Sequence, residues 1–251
     1  CPTFPYDCDS DPSILEIVPG MSINSAILLV EEGGTILMES GTYLLDEPVN
    51  PAGKTFTLSG TTDKSGSPAT VIDAQGSGRA IECTNSEGPG TVFENLVITN
   101  GFVSGGTGGG MYCYESSPTL ANCVFHQNYA SYGGGMRCVN SYPVITNCVF
   151  QQNSANYGGG IYAQYGPTLS DTVLCGNTGT APGSQYAGTF TDAGGNCILE
   201  TCSDQDADGI LDCFDLCPGV PDTDIDEDGV VDCIDECPDV PNIDGDGDGL
   251  I

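Results

Sequence analysis

The chain has 251 residues, with 35 Asp and Glu against 4 Lys and Arg, for a formal net charge of −31. Lys54, Lys64, Arg79 and Arg137 are too few to displace the counterions of a nucleic acid, and such acidity disfavours anionic lipid surfaces. The longest apolar run, residues 26–30, falls far short of the ~20 residues that a membrane span needs. Neither nucleic-acid binding nor membrane insertion is expected.

The cysteine count of 14 is even, and it comes with one His and no Trp. That combination suggests disulfides rather than zinc sites, and an extracellular or cell-surface location. The opening CPTFPYDCDS has neither a basic nor an apolar leader region, so a secreted form is expected here as mature or trimmed. In DCDSD, residues 7–11, Asp7, Asp9 and Asp11 alternate, as an ordinary acidic turn or as a contact for metal held by another subunit. Charge then divides the chain. Residues 203–251 hold 17 acids and no base, whereas residues 1–202 hold 18 acids and all 4 bases. The expected organisation is an acidic segment 1–12, a main domain 13–202 and a tail 203–251.

The first element expected is a short helix. Ser22 is a suitable N-cap, residues 23–32 are helix-compatible, and Gly33-Gly34 stops them. The stretch GTILMESGTYLL that follows has strand character. From residue 108 the chain repeats: GGG recurs at 108, 133 and 158, and each copy carries short alternating segments (MYCY, TLANCVF, VITNCVF) broken by Gly and Pro. No copy contains a long run of helical period. A period of about 25 residues with strand alternation predicts a solenoid of stacked strands, spaced at roughly 4.8 Å.

Stacked coils place equivalent residues in columns. Asn128 and Asn153 are equivalent, with Asn100 expected before them and Asn177 after, and Asn122 and Asn147 form a second column extended by Asp171. Such Asn serve either as hydrogen-bonding ladders or as turn formers. Cys113 stands over Cys138 and Cys123 over Cys148, and the third copy has Ala163 and Thr172 in those places. Vertical disulfides, within-coil disulfides and free stacked thiols all fit this pattern. Tyr132 and Tyr157 form a column beside the Gly triplets, as an interaction surface or as shields for the turns.

The pattern GGG-x-Y-C…SPT-L-x-N-C-x-F…N resembles the right-handed parallel β-helix repeats of bacterial surface and secreted proteins, with pectate-lyase-like architecture. SINSAILLVEEGGTILMESGTYLL is similar to the opening of such proteins, and ATVIDAQGSGRAIECTNSEGPGTVFENLVITNG to their early coils. The resemblance spans roughly residues 13–200. It implies an all-β fold: a right-handed parallel β-helix with a short N-terminal capping helix.

The tail has a different period. Loops begin at Asp204, Asp224 and Asp244, and oxygen ligands fall at the positions a calcium loop uses. In the first loop these are Asp204, Asp206, Asp208, the Ile210 carbonyl, Asp212 and Asp215. The second repeats them with Asp224, Asp226, Asp228, Val230, Asp232 and Asp235. The third offers Asp244, Asp246, Asp248 and Leu250, and the given sequence stops at its eighth position. A fragment, or a site completed by another chain, would account for that. Cys217-Pro218 and Cys237-Pro238 rule out a helix after each loop. The pattern instead resembles thrombospondin type 3 repeats, in which irregular chain wraps calcium ions. That resemblance implies an irregular calcium-wrapped tail and favours a disulfide such as Cys217 to Cys233.

Catalysis is not expected. Glu82, Glu94, Glu115 and Asp171 do not recur together as a carboxylate set would, and His126 is replaced by Gln151 one coil later, which suggests a surface turn residue. The expectation is a non-enzymatic, calcium-stabilised extracellular structural protein. It would be a surface stalk or adhesin with a glycan or surface ligand, or the subunit of a head-to-tail filament. A carbohydrate-active or carbohydrate-binding β-helix protein is the alternative.

Overall fold

A computed structural model describes residues 13–180 and 183–203. Strands of two to six residues are too short to stand alone, and each is stabilised by lying on its counterpart in the next coil. From residue 108 each coil visits four sheets in turn. Met111–Tyr114 lies in a five-stranded sheet, Thr119–Ala121 in an eight-stranded one, Val124–His126 in a seven-stranded one and Tyr129–Tyr132 in a four-stranded one. Met136–Val139 then returns to the first. Among the described residues every strand pairs in parallel with its neighbour, as in Met111↔Met136↔Ile161. The expected period of 25 is therefore the true register over these coils, and the expected all-β solenoid is the fold.

Earlier coils depart from that period without breaking the stack. Phe93 pairs with both Leu58 and Leu120, although 35 residues separate it from the first. Part of the excess leaves the wall as a small hairpin, closed by the antiparallel bridge Thr62↔Pro68. Asp63 Oδ1 caps its turn, accepting from the Ser65 hydroxyl and from the backbone of Ser65 and Ser67, and these bonds hold the carboxyl below its usual range.

At the N-terminal end, Ile14–Ile17 pairs with Thr35–Met38 as the outermost strand of the eight-stranded sheet. The helix between them spans Ile23–Leu29 and buries Ile23, Ala26 and Ile27. Ser22 caps it as expected, its hydroxyl accepting from Ser25 N–H at 3.2 Å. The helix is shorter than the expected 23–32, because Val30 turns extended (φ −60°, ψ 142°). Lys54 Nζ then donates to the Ile27 and Val30 carbonyls at 2.9 and 2.6 Å, a cation at the helix terminus where orphan carbonyls carry negative partial charge.

The core is built of ladders. Leu58, Phe93, Leu120, Ile145 and Leu169 form one, and Ile72, Ile98, Phe125, Phe150 and Leu174 another, all fully buried. The Phe125 and Phe150 rings stack at 4.5 Å, 4° from parallel. The Gly triplets stack as backbone on backbone, with Gly109 N–H to Gly133 O and Gly110 N–H to Gly134 O. A Cβ on Gly134 would lie 2.5 Å from Ser154 O and 2.6 Å from Gly159 O, so no larger residue fits there.

A buried amide ladder runs inside the corner between the seven- and four-stranded sheets. Asn128 Oδ1 accepts from Gly101 N–H at 2.8 Å; Asn153 Oδ1 accepts from both the backbone and the amide of Asn128 at 3.0 Å. Asn177 does the same for Asn153, and Gln185 closes the ladder by accepting from Asn177. Each Asn amide also donates to a strand carbonyl: Ile98, Phe125 and Phe150 in turn. Asn100 does not belong to this column. His126 pairs with Thr99, which sets Asn128 against Gly101 and Gln127 against Asn100. Asn100, Gln127 and Gln152 instead share a left-handed backbone (φ 56°, 55° and 54°) at the outer bend.

Candidate functional site at a step in the solenoid

The second Asn column lies on the surface, as a ladder and as turn formers at once. Asn95, Asn122, Asn147 and Asp171 all have φ between 49° and 58°, and the amides of Asn122 and Asn147 each donate to the preceding Asn, at 2.8 and 3.3 Å. The acids singled out by sequence are dispersed: Glu82 pairs with Arg79, Glu94 accepts from Ser59 Oγ at 2.7 Å, and Glu115 and Asp171 sit at separate bends. His126 is not a turn residue. It occupies the strand Val124–His126, between Thr99 and Gln151, with Nδ1 buried and unbonded.

The cysteine columns are free thiols. Cys83, Cys113 and Cys138 stack in the five-stranded sheet, and Cys123 and Cys148 form a second pair; all five are buried. Burial pushes the thiols of Cys113 and Cys123 well above their ordinary value. For Cys138 the neighbouring Cys113 thiol is the larger cause, ahead of burial. Cys175, Cys197 and Cys202 are disulfide-bonded.

The outer face of the five-stranded sheet carries the column Glu82, Tyr112, Arg137, Tyr162. Arg79 lies 4.7 Å over the Tyr112 ring and Arg137 4.0 Å over Tyr162. Arg137 is nearly buried and donates to the Cys138 and Tyr162 carbonyls at 2.7 and 3.1 Å. Beside it the expected Tyr132–Tyr157 column is real: the rings stack at 5.4 Å, 6° from parallel, with Tyr162 packed 5.7 Å from Tyr132. Both rings stay partly exposed, at 39% and 45%.

A groove that sequence reasoning missed lies where the cross-section changes. The seven-stranded sheet continues through Thr70–Asp73 to Gly41–Leu44, but the four-stranded sheet begins only at Phe102–Thr107. The coil between Asp73 and Ile81 crosses directly, without a strand on the fourth sheet. The step leaves a depression of about 550 Å³ lined by Leu44, Asp73, Gln75, Asn100, Phe102 and Gln127, among others. Phe102 stacks on Tyr129 at 4.9 Å and remains 47% exposed. Asp73 Oδ1 accepts from Gln75 N–H at 2.7 Å and from the Asn100 amide at 3.0 Å.

The expected calcium ligands, from Asp204 to Leu250, lie outside the described residues, as do Cys217, Cys233 and the segment 1–12. Among the described residues no group of three or more His, Cys, Asp or Glu side chains is placed to hold a metal ion.

A parallel strand solenoid with internal amide, thiol and aromatic ladders defines a β-helix protein. The family model described as the right handed beta helix region matches residues 59–204, more than half of the chain, and the chain belongs to that family. Comparison with curated proteins and with solved structures finds no match.

Proposed function

We propose that the protein is a non-enzymatic extracellular structural protein whose β-helix holds an adhesive surface in register and whose acidic tail is ordered by calcium. The observation that carries the first half is the column of outward rings, Tyr132 on Tyr157 beside Tyr162, partly exposed, with the Tyr132 and Tyr157 carbonyls accepting from Gly108 and Gly133 N–H. A rigid aromatic column offers contact area at low entropic cost to a sugar ring or to a neighbouring protein. The calcium half rests on the tandem spacing of Asp204 to Asp215 and Asp224 to Asp235. Without metal the 17 tail carboxylates would repel one another; calcium would neutralise and order them. The third loop, from Asp244, suits either an internal spacer or a join to another subunit.

Negative-stain microscopy in millimolar calcium and in excess chelator tests this. Long fibres that fall apart on chelation support a filament subunit, and single rods with calcium-dependent tail protection support a stalk. Unchanged protease sensitivity of the tail with and without calcium would remove the calcium half. Release of new reducing or unsaturated ends from a polysaccharide would remove the non-enzymatic half.

A further inference from the structure

We infer that the step at Phe102 is a binding site for an uncharged saccharide. It goes beyond the adhesive column of Tyr132, Tyr157 and Tyr162, none of which lines this groove. Three features of the groove converge on that chemistry. The first is a platform: Tyr129 covers one face of Phe102, whose ring is held at 4.9 Å and 20° from parallel while nearly half of the residue stays exposed. Sugar rings present C–H faces that lie on such a surface.

The second is a set of planar polar groups with unused capacity. The Gln127 side chain makes no hydrogen bond, and left-handed backbone at the bend holds it on the surface. Asp73 spends Oδ1 on Gln75 and Asn100, which fixes the carboxylate and leaves Oδ2 without a partner. Asn100 Oδ1 is likewise unpaired. A fixed carboxylate oxygen with two amides is a donor and acceptor array that suits neighbouring hydroxyls. The depression, about 550 Å³ and open to solvent, has room for a ligand to lie along the surface.

The third feature is charge. No Lys or Arg lines the groove, Asp73 stands on its wall, and residues 1–202 carry 18 acids against 4 bases. A uronate or sulfated sugar would be repelled. A peptide adding to the open edge of the fourth sheet is also disfavoured. Phe102 N–H is already bonded to Gly78 O at 2.7 Å, and the register shift beside Gly105 (φ 73°) breaks the edge.

Calorimetric titration of the full chain with cellotetraose, mannotetraose and xylotetraose, with tetragalacturonate as the acidic control, tests the site. At least one neutral tetrasaccharide is expected to bind with Kd of about 0.1–1 mM. Phe102→Ser and Gln127→Gly should each weaken it by about tenfold, and Gly adopts the left-handed bend freely, so the second variant keeps the fold. Tetragalacturonate binding as tight as the neutral sugars overturns the ligand class. Neutral binding untouched by both variants overturns the site, and no binding of any probe at about 10 mM overturns the proposal. Calcium-dependent particle length measured on the same samples keeps that failure distinct from a failure of the structural reading.

Discussion

The thiol of Cys148 lies 3.4 Å from the backbone nitrogen of Cys123 one coil away, in place of a hydroxyl. One coil further, Thr172 Oγ1 accepts from Cys148 N–H at the same distance, and Asn196 Oδ1 then accepts from Thr172 N–H at 3.0 Å. Cys, Thr and Asn are thus three versions of one inward acceptor. This is why the third repeat could lose both cysteines without losing its fold: Thr172 continues the ladder and Ala163 fills the other column.

Cys148→Ala should therefore cost more than Cys148→Ser. Removing the acceptor leaves the Cys123 N–H buried and unpaired, about 1–3 kcal/mol, while Ser replaces the acceptor at the cost of some packing. Urea unfolding midpoints measure the difference. Equal losses for the two variants would mean that packing alone matters at this position.

The same burial should make the thiols inert. All five of Cys83, Cys113, Cys123, Cys138 and Cys148 are enclosed, and those of Cys113, Cys123 and Cys138 are held protonated well above their ordinary value. A thiol reagent at pH 8 should find none of the five in the native chain and all of them in denaturant. Rapid native labelling at Cys138 would mean that the five-stranded sheet does not enclose this thiol in solution.

The two amide columns should respond differently to substitution. Asn153 is buried and joins three coils, so Asn153→Ala strands the Asn128 and Phe125 groups and should cost about 2–4 kcal/mol. Asn147 is exposed and its main demand is a left-handed backbone (φ 50°). Asn147→Gly should be nearly neutral, and Asn147→Ala should cost about 1 kcal/mol. Thermal unfolding of the three variants orders them; a costly Asn147→Gly would show that the surface ladder is also a major brace.

How much of this was readable from sequence depends on whether a feature repeats. The 25-residue register, the Gly triplets and the Tyr132–Tyr157 column recur, so alignment of the copies placed them correctly. Matching Asn to Asn puts Asn100 in the ladder, one position out. The ladder position is Gly101, which has no side chain and takes Asn128 Oδ1 on its backbone instead. The Phe102 groove was invisible because it arises from a strand that one coil lacks. Glu87 was missed for a related reason. It is buried and accepts from Gly53 N–H, Asn85 N–H and Ser116 Oγ, partners far apart in sequence with no repeating signature. The calcium spacing is the clearest motif of the tail, and its residues lie outside those described.

Gly134→Ala should be far more damaging than an ordinary loop substitution. The added Cβ meets carbonyl oxygens of two separate segments at 2.5 and 2.6 Å, and neither can retreat without opening the coil below. A loss of about 3 kcal/mol or more is expected by urea unfolding. Gly78→Ala, where a Cβ meets nothing within 4 Å, is the control and should lie within about 0.5 kcal/mol of the parent.

Tyr43 should make stability fall in alkali. Its hydroxyl donates to Ile17 O at 2.7 Å, and burial first, then the charge of Glu39, raises it from 10.0 to about 12. A raised value means that the folded chain keeps a proton which the unfolded chain loses. The contribution is therefore complete below pH 10 and is lost as pH rises to about 12. Tyr186, also raised by burial, adds in the same direction. Tyr43→Phe should lower stability by about 1 kcal/mol at pH 8 through loss of the bond to Ile17. Between pH 10 and 12 its stability should fall less steeply than that of the parent, with the remaining slope carried by Tyr186, Tyr114 and the buried thiols of Cys113, Cys123 and Cys138, all of which are raised as well. Urea midpoints measured at pH 8, 10 and 11.5 provide the comparison, and parallel curves for the two proteins would place the alkaline transition elsewhere.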